Sequence, residues 1–273
     1  MRTAYAPRVP ASSDRPLPRV VILMPAYHAG ERILHTVRRI LPGIAQEIIV
    51  VDDASRDHTF ALAQQLPVRA YKNNRNLGYG GNMKVCLARG LETDGDVFVE
   101  FHADGQYDPS AIPTAVAALR PTDGMVVGSR LLQRGNALRQ GMPLHKYVMN
   151  HVLTAIANVV LKTHLTEFQS GFRVYTRAYL ERVNWRANSN DHLFSLETIL
   201  QAFYHGFTVS EVPVECTYDA TVTQMGLRKG IQYTREMLWA LFRFRRARRG
   251  LPDPIFAPAR VAAVRVRTPV EVR

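Results

Sequence analysis

The chain has only two cysteines, Cys86 and Cys216, so no disulfide framework holds it together. Each lies among apolar residues, reads as a reduced core position and fits a cytoplasmic protein. No run approaches the roughly 20 uninterrupted apolar residues that a spanning helix requires. The first 18 residues carry four prolines, no apolar period and no apolar core of signal-peptide length, and read as a loose arm. Internal repeats and low-complexity tracts are absent, which excludes repeat architectures. Acidic residues are scarce: 23 Asp and Glu face 35 Lys and Arg, a net charge of +12. That surplus favours an anionic partner, whether nucleic acid, an acidic membrane face or a phosphorylated substrate. The imbalance is sharpest over 228–249, where Arg228, Lys229, Arg235, Arg243, Arg245, Arg246, Arg248 and Arg249 face Glu236 alone.

What is present is a soluble, globular pattern of strands and helices. At 273 residues, with 47% hydrophobic and 21% charged positions, the chain suffices for one large or two modest domains. Arg19–Met24, Glu47–Val51, Val68–Tyr71, Asp96–Phe101 and Met125–Val127 read as short buried strands. Helical spacing appears over Glu31–Leu41, 57–66, Asn82–Leu91 and Ser110–Leu119. This alternation predicts an α/β fold with a mostly parallel sheet covered on both faces. Ligands of such sheets bind outside the carboxyl ends of the strands, where Pro25, Asp53, Asn76 and Asp104 all fall. In the second half, Leu144–Leu161 reads either as a buried core helix or as one lying in a membrane interface. Beyond it come the segment Glu167–Thr176, a helix over Leu193–Tyr204, a strand over Thr208–Val212 and a basic helix over Gln232–Arg246.

Three local patterns carry chemistry. His102-Ala103-Asp104-Gly105-Gln106-Tyr107-Asp108 follows the fourth strand and fits either a surface turn or a site for a hard cation and its phosphates. Asp52-Asp53, with Ser55 and Asp57 after it, reads as a capping cluster or as a carboxylate for a nucleobase or ribose. If the strand period holds, only one of the pair points into the cleft. Asn76-Leu77-Gly78-Tyr79-Gly80-Gly81-Asn82 opens a helix whose free N–H groups suit an anion. It has neither the dinucleotide-fingerprint spacing nor the Gly-Lys-Ser/Thr of a P-loop.

Taken in order, these motifs resemble the inverting family 2 glycosyltransferases of the GT-A fold. The likeness is strongest to the polyprenyl-phosphate sugar transferases typified by dolichyl-phosphate mannose synthase. It spans about Arg19 to Val214. The residues that carry it are Pro25-Ala26-Tyr27, Val50-Val51-Asp52-Asp53-Ala54-Ser55, Asn76-Leu77-Gly78-Tyr79-Gly80, His102-Ala103-Asp104-Gly105-Gln106, Gly128-Ser129-Arg130, Gln169-Ser170-Gly171-Phe172-Arg173 and Glu211-Val212-Pro213. The resemblance implies a Rossmann-like nucleotide-diphospho-sugar transferase domain over 19–218, with a nucleotide-binding half (19–130) and an acceptor half (131–218). The arm (1–18) would precede it; a basic amphipathic helix (219–250) and a tail (251–273) would follow.

The resemblance also implies roles. Pro25, Tyr27, Val51 and Asp53 match positions that hold base and ribose. His102, Ala103 and Asp104 stand at the family's Asp-x-Asp, so Asp104 and Gln106, with His102, would hold Mg²⁺ or Mn²⁺ on the diphosphate. Arg130 matches a phosphate-contacting arginine, and Arg173 and Glu197 match polar positions near the acceptor. Three departures stand out. His102 replaces the first Asp and suits Mn²⁺ better than Mg²⁺. Ala29 stands where a Glu is common, with Glu31 nearby, and Thr217-Tyr218-Asp219 stands where an Arg is usual after Glu-Val-Pro.

The expected reaction moves a sugar from a nucleotide sugar to a polyprenyl phosphate, with inversion. Such an acceptor needs cations, for which Arg130, Arg139, Lys146 and Arg173 are candidates, rather than a base. A glycan hydroxyl acceptor would need a carboxylate base, for which Asp191 is the candidate, unless it only caps the next helix. Trp239, Leu241, Phe242 and Phe244 mixed with arginines suit an anionic membrane, so the protein is expected on the cytoplasmic face of the inner membrane. A nucleotidyltransferase, a non-catalytic nucleotide-sugar-binding relative and a nucleic-acid binder are the rivals. The first lacks its basic glycine-rich loop over Tyr27–Glu31, and no nucleic-acid module supports the last.

Overall fold

Short apolar runs separated by helix-forming segments build one seven-stranded sheet. The protein, here as a computed structural model, is described over residues 17–218 and 227–259. Strands β1 (Val20–Ala26), β2 (Glu47–Asp52), β3 (Arg69–Lys72) and β4 (Val97–Glu100) alternate with helices α1 (Arg32–Arg39), α2 (Thr59–Ala63) and α3 (Tyr79–Leu91). Then come α4 (Ala111–Ala117), β5 (Asp123–Ser129), α5 (Asn136–Arg139), α6 (Leu144–Leu161), β6 (Arg173–Thr176), α7 (Arg177–Arg182), α8 (Phe194–Tyr204), β7 (Thr208–Pro213) and α9 (Leu227–Ala247). The sheet order is β3-β2-β1-β4-β6-β5-β7. β6 runs antiparallel to both its neighbours, whereas the other pairs are parallel. Strands β1 to β5 and β7 therefore all end on one edge.

The sheet is buried on both faces, which explains why its strands read as continuous apolar runs. Along β1, Val21 and Leu23 join Ile49, Val51 and Phe98 in one core, with α3, α8 and α9 laid over it. Val20, Ile22 and Met24 join Val50, Val97 and Val99 in the other, under α1 and α4. This is the two-residue period of a strand with both sides filled. Polar side chains can then meet a ligand only where the strands end.

Several boundaries differ from the sequence reading for local reasons. Helix α2 is shorter because the Asp57 carboxylate accepts the Thr59 N–H (3.1 Å) and Oγ1 (2.6 Å), which starts the helix there, and Pro67 follows closely. Helix α3 begins at Tyr79 because Gly78, at φ 79°, turns the chain into it. Helix α6 spans the expected residues, and only Leu153, Thr154 and Ala157 on it are buried. Ile156, Val160 and Leu161 also pack against the core, while Leu144, Val148, Val152 and Val159 are exposed. The basic helix is longer than expected, and Asp219 lies outside the described residues. Cys86 and Cys216 are both buried and free.

Candidate active site

The chain turns at the ends of β1 and β2 are fixed by buried carboxylates. Pro25 pairs in register with Val51, and the Tyr27 ring beyond it is exposed, edge-on to His28 at 4.3 Å. Asp52 is fully buried and folds back on its own turn, accepting the Ser55 N–H (3.2 Å) and hydroxyl, with Lys72 Nζ at 3.4 Å. Asp53 points the other way, as the period requires. Its carboxylate accepts Asn73 Nδ2 (2.9 Å), Leu77 N–H (2.9 Å) and Gly78 N–H (3.0 Å). Burial raises the Asp53 pKa, and these donors offset that only in part. Asp53 thus ties the glycine loop to β2. Val51 departs from its expected role: its side chain is fully buried, and its carbonyl accepts Asn82 Nδ2 at 2.9 Å.

The glycine loop also serves another purpose than the one its sequence suggests. A Cβ on Gly78 would lie 2.6 Å from the Asn190 carbonyl oxygen, and one on Gly80 2.4 Å from that of Ser189. The Gly81 N–H already donates to Asn190 O at 3.1 Å. These glycines let segment 189–191 close over the start of α3, and that contact takes up part of the anion site expected there.

Beyond β4, Gly105 (φ 75°) lets the chain reverse, and Asp104 Oδ1 accepts the Gln106 N–H at 3.0 Å. Ala103 is buried and contributes backbone only, its carbonyl accepting Thr36 Oγ1 at 3.3 Å. Asp108 points away and accepts the Ser110 N–H at 2.9 Å. His102, Asp104 and Gln106 line a cavity of about 560 Å³, together with Arg130, Lys146 and His145. Helices α6 and α9 line it with apolar side chains as well: Met142, Met149 and Leu153 on the α6 side, where His145, Lys146 and Asn150 also lie, and Ile231 and Tyr233 from α9. Pro25, Tyr27 and Asp53 do not line it; they lie further along the strand edge. Among the described residues no three His, Cys, Asp or Glu converge as a metal cage. The donor set of one imidazole, one carboxylate and one amide on a single turn, open to a cavity, fits instead a cation whose shell a ligand's phosphate oxygens complete.

Behind this turn, Glu100 is fully buried at the end of β4. It accepts the Tyr79 hydroxyl, the Tyr175 hydroxyl (2.7 Å) and His102 Nε2 (3.3 Å). Burial alone would raise the Glu100 pKa, but the His102 hydrogen bond and the charges of His102 and Arg173 hold it below the ordinary value. For His102 burial pulls downward, and the Glu100 hydrogen bond and the charge of Asp104 outweigh it, so the net direction is up. Tyr79 also lines the cavity. An acid closing an otherwise apolar strand, Val99-Glu100-Phe101, is the sequence signal for this group.

Arg130 is held by a chain of acids. Its Nε donates to Glu167 Oε1 at 2.9 Å, Nη2 also reaches that carboxylate, and Nη1 donates to the Tyr218 hydroxyl at 2.9 Å. Glu167 is fully buried. Its segment is clamped by Glu211, which accepts the N–H groups of Thr166 (2.8 Å) and Glu167 (3.1 Å). Ser129 Oγ meets Thr166 Oγ1 at 2.7 Å, and a Cβ on Gly128 would lie 2.5 Å from the Phe172 ring. Gly128-Ser129-Arg130 and Glu211-Val212-Pro213 are therefore two sides of one hydrogen-bonded unit.

Three expected acceptor-side residues lie elsewhere. Arg173 is fully buried with its N–H groups on the carbonyls of Phe168 (2.8 Å), Ser170 (2.9 Å) and Ser195, so it braces the loop before β6 and does not reach the cavity. Glu197 is buried, accepts the Ser189 N–H at 2.6 Å and has its pKa raised by burial. Asp191 is 62% exposed at its side chain and accepts the His192 N–H at 2.8 Å; His192, not Asp191, lines the cavity. Arg139 is exposed and outside it as well. The Arg130–Glu167 pair gives a direct test. Glu167→Ala strands a largely buried guanidinium and should cost about 3–5 kcal/mol in urea denaturation, whereas Asp191→Asn should stay within about 0.5 kcal/mol. Equal stabilities of the two variants would contradict the arrangement.

A family model described as glycosyl transferase family 2 matches residues 21–183. Polyprenol monophosphomannose synthase of Mycolicibacterium smegmatis is 28% identical over 211 residues, 74% of this chain and 79% of that one. A UDP-N-acetylglucosamine–dolichyl-phosphate N-acetylglucosaminyltransferase of Methanococcus voltae is 26% identical over 73% of this chain and 86% of that one. Undecaprenyl-phosphate mannosyltransferase of Micrococcus luteus is 27% identical over 72% and 82%. In fold, the chain is similar to glucosyl-3-phosphoglycerate synthase of Mycobacterium tuberculosis, solved with Mn²⁺, UDP-glucose and phosphoglyceric acid. The TM-score is 0.61 at 18% identity, over 86% of this chain and 81% of that one. With that fold, and with the family match covering more than half its length, the chain belongs to glycosyl transferase family 2, the enzymes of the GT-A fold.

Proposed function

We propose that this protein transfers a sugar, with inversion, from a nucleoside-diphosphate sugar to a polyprenyl phosphate at a membrane surface. The observation that carries this reading is the cavity itself, which the charged Asp104, Arg130 and Lys146 line together with apolar side chains of α6 and α9. A lipid phosphate has that mixed character; a glycan does not. Of three relatives named for polyprenyl phosphates, two are named for mannose and one for N-acetylglucosamine, which supports the acceptor class and leaves the sugar open.

Pro25, Tyr27 and Asp53 would form the nucleoside end. His102, Asp104 and Gln106 would hold Mg²⁺ or Mn²⁺. When bound, the ion neutralises charge on the departing diphosphate. Arg130 keeps two of its five guanidinium N–H donors free of the contacts to Glu167 and Tyr218, and these would meet a phosphate. Glu167 fixes the plane of that fork, so Arg130 positions as well as neutralises. The acceptor phosphate is largely ionised at neutral pH, its second pKa being about 6, so it attacks without a base. The exposed position of Asp191 is in keeping with that.

No helix among the described residues is long and apolar enough to cross a membrane. Helix α6 nonetheless exposes Leu144, Val148, Val152 and Val159, the last at 75%, at spacings that fall on one side of a helix. Helix α9 exposes Ile231, Leu238, Trp239 (56%) and Phe242, with exposed Arg235, Arg245 and Arg246 among them. Met149 and Ile231 are both exposed and cavity-lining, so the apolar surface continues into the cavity. Burying such side chains yields about 1.5–3 kcal/mol each, and a basic residue near an anionic leaflet adds about 1 kcal/mol. The protein would thus sit peripherally on the cytoplasmic face of the inner membrane.

Two measurements test this. A screen of nucleotide sugars with an undecaprenyl phosphate in Mn²⁺ and in Mg²⁺ should give an organic-soluble sugar lipid, and Asp104→Asn should lower the rate at least a hundredfold. Transfer confined to a sugar hydroxyl would refute the acceptor assignment; no transfer from any donor would refute the enzyme. The full chain should also sediment with vesicles containing phosphatidylglycerol, less so in high salt or with Trp239→Ala/Phe242→Ala. Equal sedimentation of that variant would remove α9 from the docking surface.

A further inference from the structure

We infer that Glu100 is a positioning residue that holds the His102 ring by Nε2, so that Nδ1 is the nitrogen offered to a divalent cation shared with Asp104. The inference rests on the metal-assisted reading above.

Glu100 receives donors on both its oxygens: the hydroxyls of Tyr79 and Tyr175, and His102 Nε2 at 3.3 Å. An ionised carboxylate only accepts, so Nε2 must carry the proton that fills this contact. A neutral imidazole protonated at Nε2 has its lone pair on Nδ1, at the other side of the ring from Glu100. A carboxylate behind a histidine in this way fixes both tautomer and orientation and strengthens the histidine as a ligand.

The ring has little freedom to do otherwise. A Cβ on Gly171 would lie 2.8 Å from both Cε1 and Nε2 of His102, so the absence of a side chain at 171 is what admits the ring. Tyr79 flanks it at 5.6 Å between centroids and Tyr107 at 6.3 Å. Tyr79 is itself tied to Glu100 and, through its oxygen, to Ser195 Oγ at 2.9 Å. His102 is thus located by Glu100 on one edge, Gly171 against the same edge, and two aromatic rings around it. This is more support than a side chain in a surface turn receives, and it explains how a histidine works where a carboxylate would be expected. An imidazole ligand also turns preference toward Mn²⁺ over Mg²⁺.

The test is binding of Mn²⁺ to the full chain, alone and with inorganic pyrophosphate, read from the electron paramagnetic resonance of the free ion. Glu100→Gln should weaken Mn²⁺ by about 10- to 100-fold, and His102→Ala by at least as much. The double variant should bind no worse than His102→Ala, because Glu100 acts through His102. Gly171→Ala, which pushes on the ring from outside the carboxylate, should also weaken Mn²⁺ and stands in if Glu100→Gln does not fold. In ¹⁵N spectra of the imidazoles, Mn²⁺ should broaden His102 Nδ1 before Nε2. Additive losses in the double variant, or unchanged Mn²⁺ affinity in His102→Ala, would overturn the inference. If Asp104→Asn still weakens Mn²⁺ in that case, the metal-assisted reading survives; if it does not, that reading fails too.

Discussion

The pairing of Arg130 with Glu167 is the constraint on which the candidate site depends. The Arg130 guanidinium is largely buried at the cavity wall and the Glu167 carboxylate is fully buried, so removing either would leave the other charge without its partner. Neither could be placed by itself. Glu211 on β7 holds the segment that carries Glu167, and Ser129 on β5 bonds to the same segment. Two strands distant in sequence are thereby joined at their ends, and the fork of Arg130 is fixed at the cavity wall. The net charge of the pair is near zero, so what it presents to a phosphate is directed donors more than raw charge.

The same economy governs the rest of the edge. Asp52 folds its own turn, Asp53 secures the glycine loop, and Glu100 anchors Tyr79, Tyr175 and His102. Acids at the strand ends thus act first as scaffolding, accepting backbone and side-chain donors that would otherwise be buried and unsatisfied. The residues left facing the cavity are the ones just beyond them: His102, Asp104, Gln106 and Arg130. Helices α6 and α9 supply apolar surface both to the cavity and to the outside of the molecule.

The sheet was legible in the sequence because apolar runs buried on both faces leave a strong local trace, and each expected strand has a counterpart. Helix α6 could be read to its ends from spacing alone. The strand-edge rule grouped Pro25, Asp53, Asn76 and Asp104, of which only Asp104 lines the cavity, whereas Gln106 and Arg130 were named through the family resemblance. What escaped were properties of pairs. Nothing local in Glu-Phe-Gln announces that Glu167 will face Arg130. The motif that contains Arg173 suggested an acceptor contact, yet its side chain is spent on carbonyls brought by α8 and the loop before β6. The glycines at 78 and 80 looked ready for an anion and instead receive segment 189–191, more than a hundred residues away. Antiparallel β6 was unreadable for the same reason, since strand direction depends on which neighbours a segment finds.

The central claim is that one cavity receives a phosphate at Arg130 and a hydrocarbon chain between α6 and α9. Photo-crosslinking with a short prenyl phosphate bearing a diazirine on its tail tests it most directly. The account predicts labels on Met149, Leu153, Ile231 or Tyr233, competed by unlabelled polyprenyl phosphate and lost when the phosphate is replaced by a hydroxyl. Labels confined to other surfaces, or labelling indifferent to the phosphate, would contradict it.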